Sequence, residues 1–326
     1  MNAVIVGLGS MGRRRVRLLQ KYDASIVIIG VDTQKERRTQ AEKELQIRTA
    51  ESIEDACNNE NIDIAFISTS PLSHASIIKE CLNQNLHVFT ELNLVFDGYD
   101  ENLKRAAEKE KVLFLSSTFL YRKEILYIKE AVKKYKGRLS YIYHAGQYLP
   151  DWHPWENYKN FFVGKKETNG CREFMAIEFP WMIDVFGKIK GVYASNSKNS
   201  TLDIDFSDSY QIIFEHETGH RGMISIDVVS RKAVRNFELF GEEIYLTWDG
   251  TPDGLVRYDY KQRENEQIRL YKTIEKRPEY SASIIEDAYL SEISNFMDVI
   301  NGRAEAKYSF EKDKEILAII DKIEGR

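Results

Sequence analysis

The apolar run Ala3-Val4-Ile5-Val6 passes straight into Gly7-Leu8-Gly9-Ser10-Met11-Gly12, and no other stretch restricts the possible folds as tightly. Val16, Leu18 and Leu19 then mark one face of a helix expected over 13–22. The run Ile26-Val27-Ile28-Ile29-Gly30-Val31 reads as a second strand and stops at Asp32. Each glycine has a physical task in such a turn. Gly7 permits a tight exit from the strand, Gly9 lets another molecule approach the backbone, and Gly12 lets the helix lie close to the sheet. The open N–H groups at the helix start favour an anion there. Strand, glycine turn, helix, strand and acid, with Asp32 twenty positions after Gly12, form the layout of a dinucleotide site. Gly7, Leu8, Gly9, Ser10, Met11, Gly12 and Asp32 are the expected cofactor residues. A carboxylate at 32 accepts from ribose hydroxyls and repels a 2′-phosphate, so NAD is expected over NADP. Arg37 and Arg38 soften that preference unless 34–38 is only a solvated helix start. The simplest reading of Arg13-Arg14-Arg15 is the exposed face of the first helix.

With 326 residues, 43% hydrophobic and 30% charged, the chain suits two globular domains. Its net charge of −5 gives no global footprint for nucleic acid or anionic membrane. Cys57, Cys81 and Cys171 are odd in number and lack metal-ligand spacing, which points to a reduced, cytoplasmic setting with no metal. A strand starting at residue 2 leaves no room for a signal peptide, and no apolar run nears the ~20 residues of a membrane span.

Helix and buried strand keep alternating to Thr118. Helices are expected over 35–45, 52–58, 74–83 and 99–110, and strands over 62–68, 87–90 and 112–115. Such repetition argues for an α/β, doubly wound parallel Rossmann sheet, taken as a domain over 1–119. The texture then changes. Helices over 123–135 and 172–186 flank a strand at 140–144 and an aromatic loop at 148–162. Strands follow at 191–195, 210–216, 222–229, 236–248, 255–260 and 267–272, with a hairpin turn at 217–220, before two closing helices at 284–300 and 311–324. Consecutive strands without helices imply a large, mostly antiparallel open sheet, and an α+β domain over 120–326.

The glycine turn, Ser68-Thr69-Ser70-Pro71 with His74, the strand end Thr90-Glu91, Tyr121-Arg122, and the spacing of Gly170, a helix and Asp184 together resemble the glucose-fructose oxidoreductase / inositol dehydrogenase / MocA (Gfo/Idh/MocA) family over nearly the whole chain. The resemblance implies an NAD-dependent oxidoreductase that acts on a hydroxyl or keto group of a sugar, polyol or nucleotide sugar, and a homodimer or homotetramer formed through the C-terminal sheet. It implies that Thr69, Pro71 and His74 line the nicotinamide end, with Glu91 beside them; a helix-start histidine bonded to backbone is the plainer reading of His74. Two departures stand out. Leu92 replaces the lysine of the family's Glu-Lys-Pro, and the usual histidine falls on Ile177 in one register or Trp181 in the other. Neither residue transfers a proton, so any acid–base group has moved.

Candidates for that role are His153, Glu178 and Tyr121, and Arg122, Trp152, Trp155 and Arg172 are expected to contact substrate. His153 titrates near neutrality. Glu178, in an apolar context, gains a raised pKa if buried, or else forms an ion pair with Arg172 or Arg122. Glu173 and Arg172 also read as helix caps, Cys171 reads as a packing residue, and aromatic loops such as 148–162 also form subunit interfaces. The departures leave two further readings beside a dehydrogenase: an enzyme that recycles retained NAD as a lyase, epimerase or glycosidase, and an NAD-binding regulatory protein without catalysis.

Overall fold

A computed structural model describes residues 1–153, 156–274 and 284–326, and the chain folds as two compact units. The first unit comprises Met1–Thr118 and Tyr289–Lys314. Six strands, β1 (Asn2–Val6), β2 (Val27–Val31), β3 (Arg48–Ala50), β4 (Ile64–Ile67), β5 (His87–Thr90) and β6 (Leu113–Leu115), form a sheet in the order β3-β2-β1-β4-β5-β6. Every neighbouring pair is parallel, so each strand must return through a crossover. The helices α1 (Ser10–Tyr22), α2 (Lys35–Leu45), α3 (Ile53–Asn59), α4 (His74–Asn83) and α5 (Tyr99–Glu108) lie along those crossovers. Val4, Ile5, Ile64, Ala65 and Phe66 are wholly shielded from solvent, as expected of strands covered on both faces. The order reverses between β1 and β4, which puts the glycine turn at the topological switch point.

The second unit comprises Phe119–Ala288 and Glu315–Arg326. Its elements are α6 (Lys123–Lys134), β7 (Ser140–Gly146), α7 (Gly170–Phe186), β8 (Ile189–Ser197), β9 (Ser209–His216), β10 (Arg221–Asp227), β11 (Val234–Gly241), β12 (Ile244–Trp248), β13 (Val256–Asp259) and β14 (Glu264–Gln267). The eight strands run β14-β13-β12-β11-β7-β10-β9-β8, antiparallel except for β7 beside β10. One face carries Tyr141, Tyr143, Phe214 and Phe237, which pack on Phe179, Trp181 and Phe186 of α7. On the other face Tyr193, Ile213, Met223 and Ile142 stand side by side across four strands and remain exposed.

Most expected elements are present, with three differences. The stretch 236–248 is a hairpin, β11 and β12, turning at Glu242-Glu243. The last strand is Glu264–Gln267 and not 267–272. The short edge strand β3 was not anticipated. The chain also returns to the first unit through most of α8 (Glu286–Ile300) and the start of α9 (Phe310–Glu324), which a continuous second domain does not provide for. Phe296 of α8 sets its ring edge against Phe66 and Phe89, and Tyr99 and Tyr308 donate to Asp313. Among the described residues no helix is long and apolar enough to cross a membrane.

Candidate cofactor and acid-base residues

The three glycines of the turn are bare for different reasons. Gly7 has φ +91°, and a Cβ there would lie 2.6 Å from Ser68 O. A Cβ on Gly12 would lie 1.8 Å from Gly7 O, because the first turn of α1 rests on the strand exit. Gly9 has an ordinary φ of −69°, and its Cβ would meet nothing within 4 Å. No packing among the described residues requires glycine at 9, and the bare backbone there is open to a molecule from outside. The first turn of α1 has no acidic residue and no side-chain cap. Bare backbone beside an open helix start suits a pyrophosphate, so these residues fit NAD(P). Ser10 is exposed, Met11 half-buried with its sulfur 3.1 Å from Arg14 Nη1, and Leu8 buried against the bare face of Gly30.

Asp32 ends β2 and holds the turn from the side. Its Oδ2 accepts from Leu8 N–H at 2.9 Å and its Oδ1 from Gln34 N–H at 2.9 Å. A carboxylate has about four acceptor directions, so capacity remains for ribose hydroxyls. Arg37 reaches within 3.7 Å of Oδ2, while Arg38 donates to the carbonyls of Asp32 and Thr33.

Across the switch point, His74 is buried with Nδ1 2.6 Å from Asn93 Oδ1 and Nε2 3.1 Å from Thr69 O. Burial pushes its pKa down. Both ring nitrogens are engaged, one by the Asn93 side chain and one by the Thr69 backbone. Thr69 Oγ1 accepts from Ser73, and Pro71 is buried at the entrance to α4. Glu91, just past β5, receives Arg15 bidentately at 2.6 and 3.0 Å. Arg15 also donates to Glu292 of α8 at 2.9 Å and lies over the Phe89 ring. The triple-arginine stretch is therefore not an exposed face: Arg14 and Arg15 are buried, and only Arg13 is partly exposed, paired with Glu44. A helix face that packs on a sheet end can take arginines when carboxylates meet them, and residue spacing alone does not report the carboxylates.

In the second unit, most of the expected substrate residues have protein partners. Arg122 grips Glu124 at 3.0 and 3.3 Å, donates to Gly250 O and lies over Trp248. Arg172 pairs with Asp321 and Glu324 of α9. Trp152 donates to Gln147 O and sets its ring against Phe174. Trp155 lies outside the described residues. Tyr121 is buried. His153 is half-buried against Phe161, and that burial lowers its pKa despite Glu156 at 3.9 Å. Cys171 is fully buried, and burial raises its thiol pKa well above the usual range.

The two glutamates of α7 differ. Glu178 is fully buried, and it accepts from Arg235 Nε and from Trp181 Nε1, both at 2.8 Å. It forms the anticipated structural ion pair, but with Arg235. Glu173 is partly exposed as a residue, yet its Oε2 is closed off from water and has no hydrogen-bond partner among the described residues. Burial pushes its carboxyl up to about 7, against the pull of Arg235. It lies four residues before Ile177, on the same face of α7. The sequence offered only a weak sign of this: an acid one turn before an apolar position that the family resemblance assigns to a histidine.

Residues 1–117 match the model of the Gfo/Idh/MocA family, an oxidoreductase family with an NAD-binding Rossmann fold. The match covers 117 of the chain's 326 residues. Biliverdin reductase A of Mus musculus is 31% identical over 133 residues, which are 40% of this chain and 43% of the relative. Its Homo sapiens counterpart is 28% identical over 199 residues, 59% and 60% of the two. The chain thus matches about half the length of these curated relatives. Among solved structures, UDP-N-acetylglucosamine 3-dehydrogenase GnnA from Acidithiobacillus ferrooxidans aligns with a TM-score of 0.76 at 18% identity, covering 100% of this chain and 97% of the other. Biliverdin reductase from Synechocystis sp. PCC 6803, in complex with biliverdin and NADP+, aligns with a TM-score of 0.75 at 16% identity, covering 99% and 97%. These structures share the two-part fold.

Proposed function

We propose that the chain is an NAD-dependent oxidoreductase acting on a hydroxyl or keto group of a sugar, polyol or nucleotide sugar, with Glu173 in place of the usual proton-transfer residues. The cofactor half of the reading rests on Gly9, a position left bare where no atom of the described residues needs the space. Asp32, with acceptor capacity to spare, favours NAD over NADP. When bound, the nicotinamide supplies hydride transfer. The proton of the carbinol oxygen then needs a protein group, and Leu92 and Ile177 supply none. A carboxyl titrating at about 7 exists in both forms near neutrality, so it takes a proton in oxidation and returns it in reduction. Glu178 is already bonded to Arg235 and Trp181. His153, neutral and half-buried, is the second candidate. The exposed row Tyr193, Ile213, Met223 and Ile142 supports a homo-oligomer through the sheet, and a cytoplasmic setting suits the three free cysteines.

A second reading is favoured by the identity to the biliverdin reductases: reduction of a linear tetrapyrrole by NAD(P)H. Delivery of a hydride into a conjugated chain does not require the missing lysine and histidine in their usual places. One experiment separates the readings. Purified protein is tested for bound cofactor, then given NAD or NADH with panels of nucleotide sugars and aldonic acids, and NADH or NADPH with biliverdin. A change in the NADH band with a sugar-type compound, lost in Glu173→Gln, supports the first. Loss of the biliverdin colour supports the second. Tightly retained NAD with turnover independent of added cofactor turns the reading to a recycling lyase or epimerase, and binding without any turnover to a regulatory protein.

A further inference from the structure

Arg15 sits on α1, three residues beyond Gly12, with its guanidinium wholly out of solvent. It is shared by two carboxylates, Glu91 at the end of β5 and Glu292 from α8. Glu292 is itself fully buried, and it accepts from Ser116 Oγ at 3.0 Å, Ser117 N–H at 2.8 Å and Thr118 Oγ1 at 3.1 Å besides Arg15. Four donors and no acceptor around one carboxyl suit its ionised form. Burial and the Glu91 charge push the Glu292 carboxyl up, against the pull of Arg15 and Ser116; with both carboxylates ionised around one cation, the cluster carries one excess negative charge. Only the Glu91 side chain retains an exposed portion, 13%.

Strand order fixes which part of a bound dinucleotide meets this charge. Asp32, at the end of β2, marks the adenosine side of the glycine turn on β1. The other half of a bound dinucleotide would extend towards β4 and β5, and β5 lies two strand spacings, ~10 Å, from β1. The exposed edge of Glu91 is at that end. The oxidised nicotinamide ring carries one positive charge more than the reduced ring, so an excess negative charge nearby distinguishes the two.

We infer that the Glu91–Arg15–Glu292 cluster sets the preference of the site for oxidised over reduced cofactor, with Arg15 and Glu292 acting as positioning residues through Glu91. The inference rests on the cofactor reading given above. A merely structural ion pair tying α8 to the sheet would affect stability and both cofactor forms alike; a charge acting on the ring changes their ratio.

The test measures binding of NAD+ and NADH, each alone, to the full chain by calorimetry and by nicotinamide fluorescence, for the natural protein, Glu292→Gln and Glu91→Gln. Removing one charge beside the ring should move the ratio of the two dissociation constants towards NADH by about 3- to 10-fold. Glu91→Gln is the safer variant for folding, because its side chain is not fully buried. A parallel weakening of both forms, or an unchanged ratio in Glu91→Gln, overturns the inference while leaving the cofactor reading intact. Failure of the natural chain to bind either form overturns both.

Discussion

The glycine turn of the first unit and helix α7 of the second build their chemistry in opposite ways. At Gly7, Gly9 and Gly12 the proposed recognition rests on backbone and on side chains that are missing. On α7 the proposed chemistry rests on side chains whose partners decide their character. Glu178 has Arg235 and Trp181, whereas the Oε2 of Glu173, five residues earlier, has none among the described residues. A missing Cβ is visible in a sequence and a missing partner is not.

The largest expected effect tests the first half of that contrast. Gly12→Ala places a methyl 1.8 Å from a backbone carbonyl, so the strand exit or α1 must move, at a cost of roughly 3 kcal/mol or more. Gly9→Ala should stay within about 0.5 kcal/mol of the natural stability, because its Cβ enters open space. It should nevertheless weaken NAD binding by about tenfold or more, or ~1.4 kcal/mol. Thermal unfolding with and without NAD reads both. Equal destabilisation by the two variants would remove the distinction between packing glycines and a ligand glycine.

Next in size are the α7 variants. Glu178→Ala takes the carboxylate from the partly buried Arg235 and leaves the buried Trp181 N–H without its acceptor, and should cost about 1–3 kcal/mol. Glu173→Gln should do the reverse, with a pH dependence that follows from its shift. An unfolded glutamate ionises near 4.5 and the folded one near 7, so both states are protonated in acid. Between those values the unfolded chain releases its proton first, folding loses stability as pH rises, and the deficit is constant above about 7. The neutral amide should therefore leave the melting temperature near pH 4 almost unchanged and raise stability by roughly 1–3 kcal/mol at pH 8. A gain of the same size at both pH values would show that Glu173 is not a strained carboxyl.

The same contrast explains what could be read from residues alone. Repeated apolar runs specified the parallel sheet, since strands covered on both faces need apolar residues on both. The hairpin between β11 and β12 was hidden because it turns on Glu242-Glu243 without the glycine or asparagine that usually marks such a turn. Strand β3, three residues of Arg-Thr-Ala at a sheet edge, carries no apolar signal. The glycine turn and Asp32 were legible because local geometry dictates their residue types. Glu292 was not: its meaning lies in an arginine 277 positions away, and in isolation it is one more acid on an amphipathic helix. Arg122 and Arg172 drew attention as ligand forks for the same reason, since a sequence shows a cation and not the carboxylate that already holds it.

The smallest effect lies where backbone and side-chain recognition meet. Arg37 stands 3.7 Å from the Asp32 carboxylate and is half exposed, so the pair contributes at most about 0.5 kcal/mol to stability. Its position beside the expected ribose gives it a sign all the same, because a 2′-phosphate repelled by Asp32 would be attracted by Arg37. Arg37→Ala should leave the melting temperature and NADH affinity nearly unchanged and weaken NADPH about 2- to 5-fold, as expected for one screened surface charge. Competition of NADPH against NADH fluorescence measures that ratio. If NADPH binding is unaltered, discrimination between the two cofactors rests on Asp32 alone, and even the cofactor's outer edge is read by the residues that shape the turn.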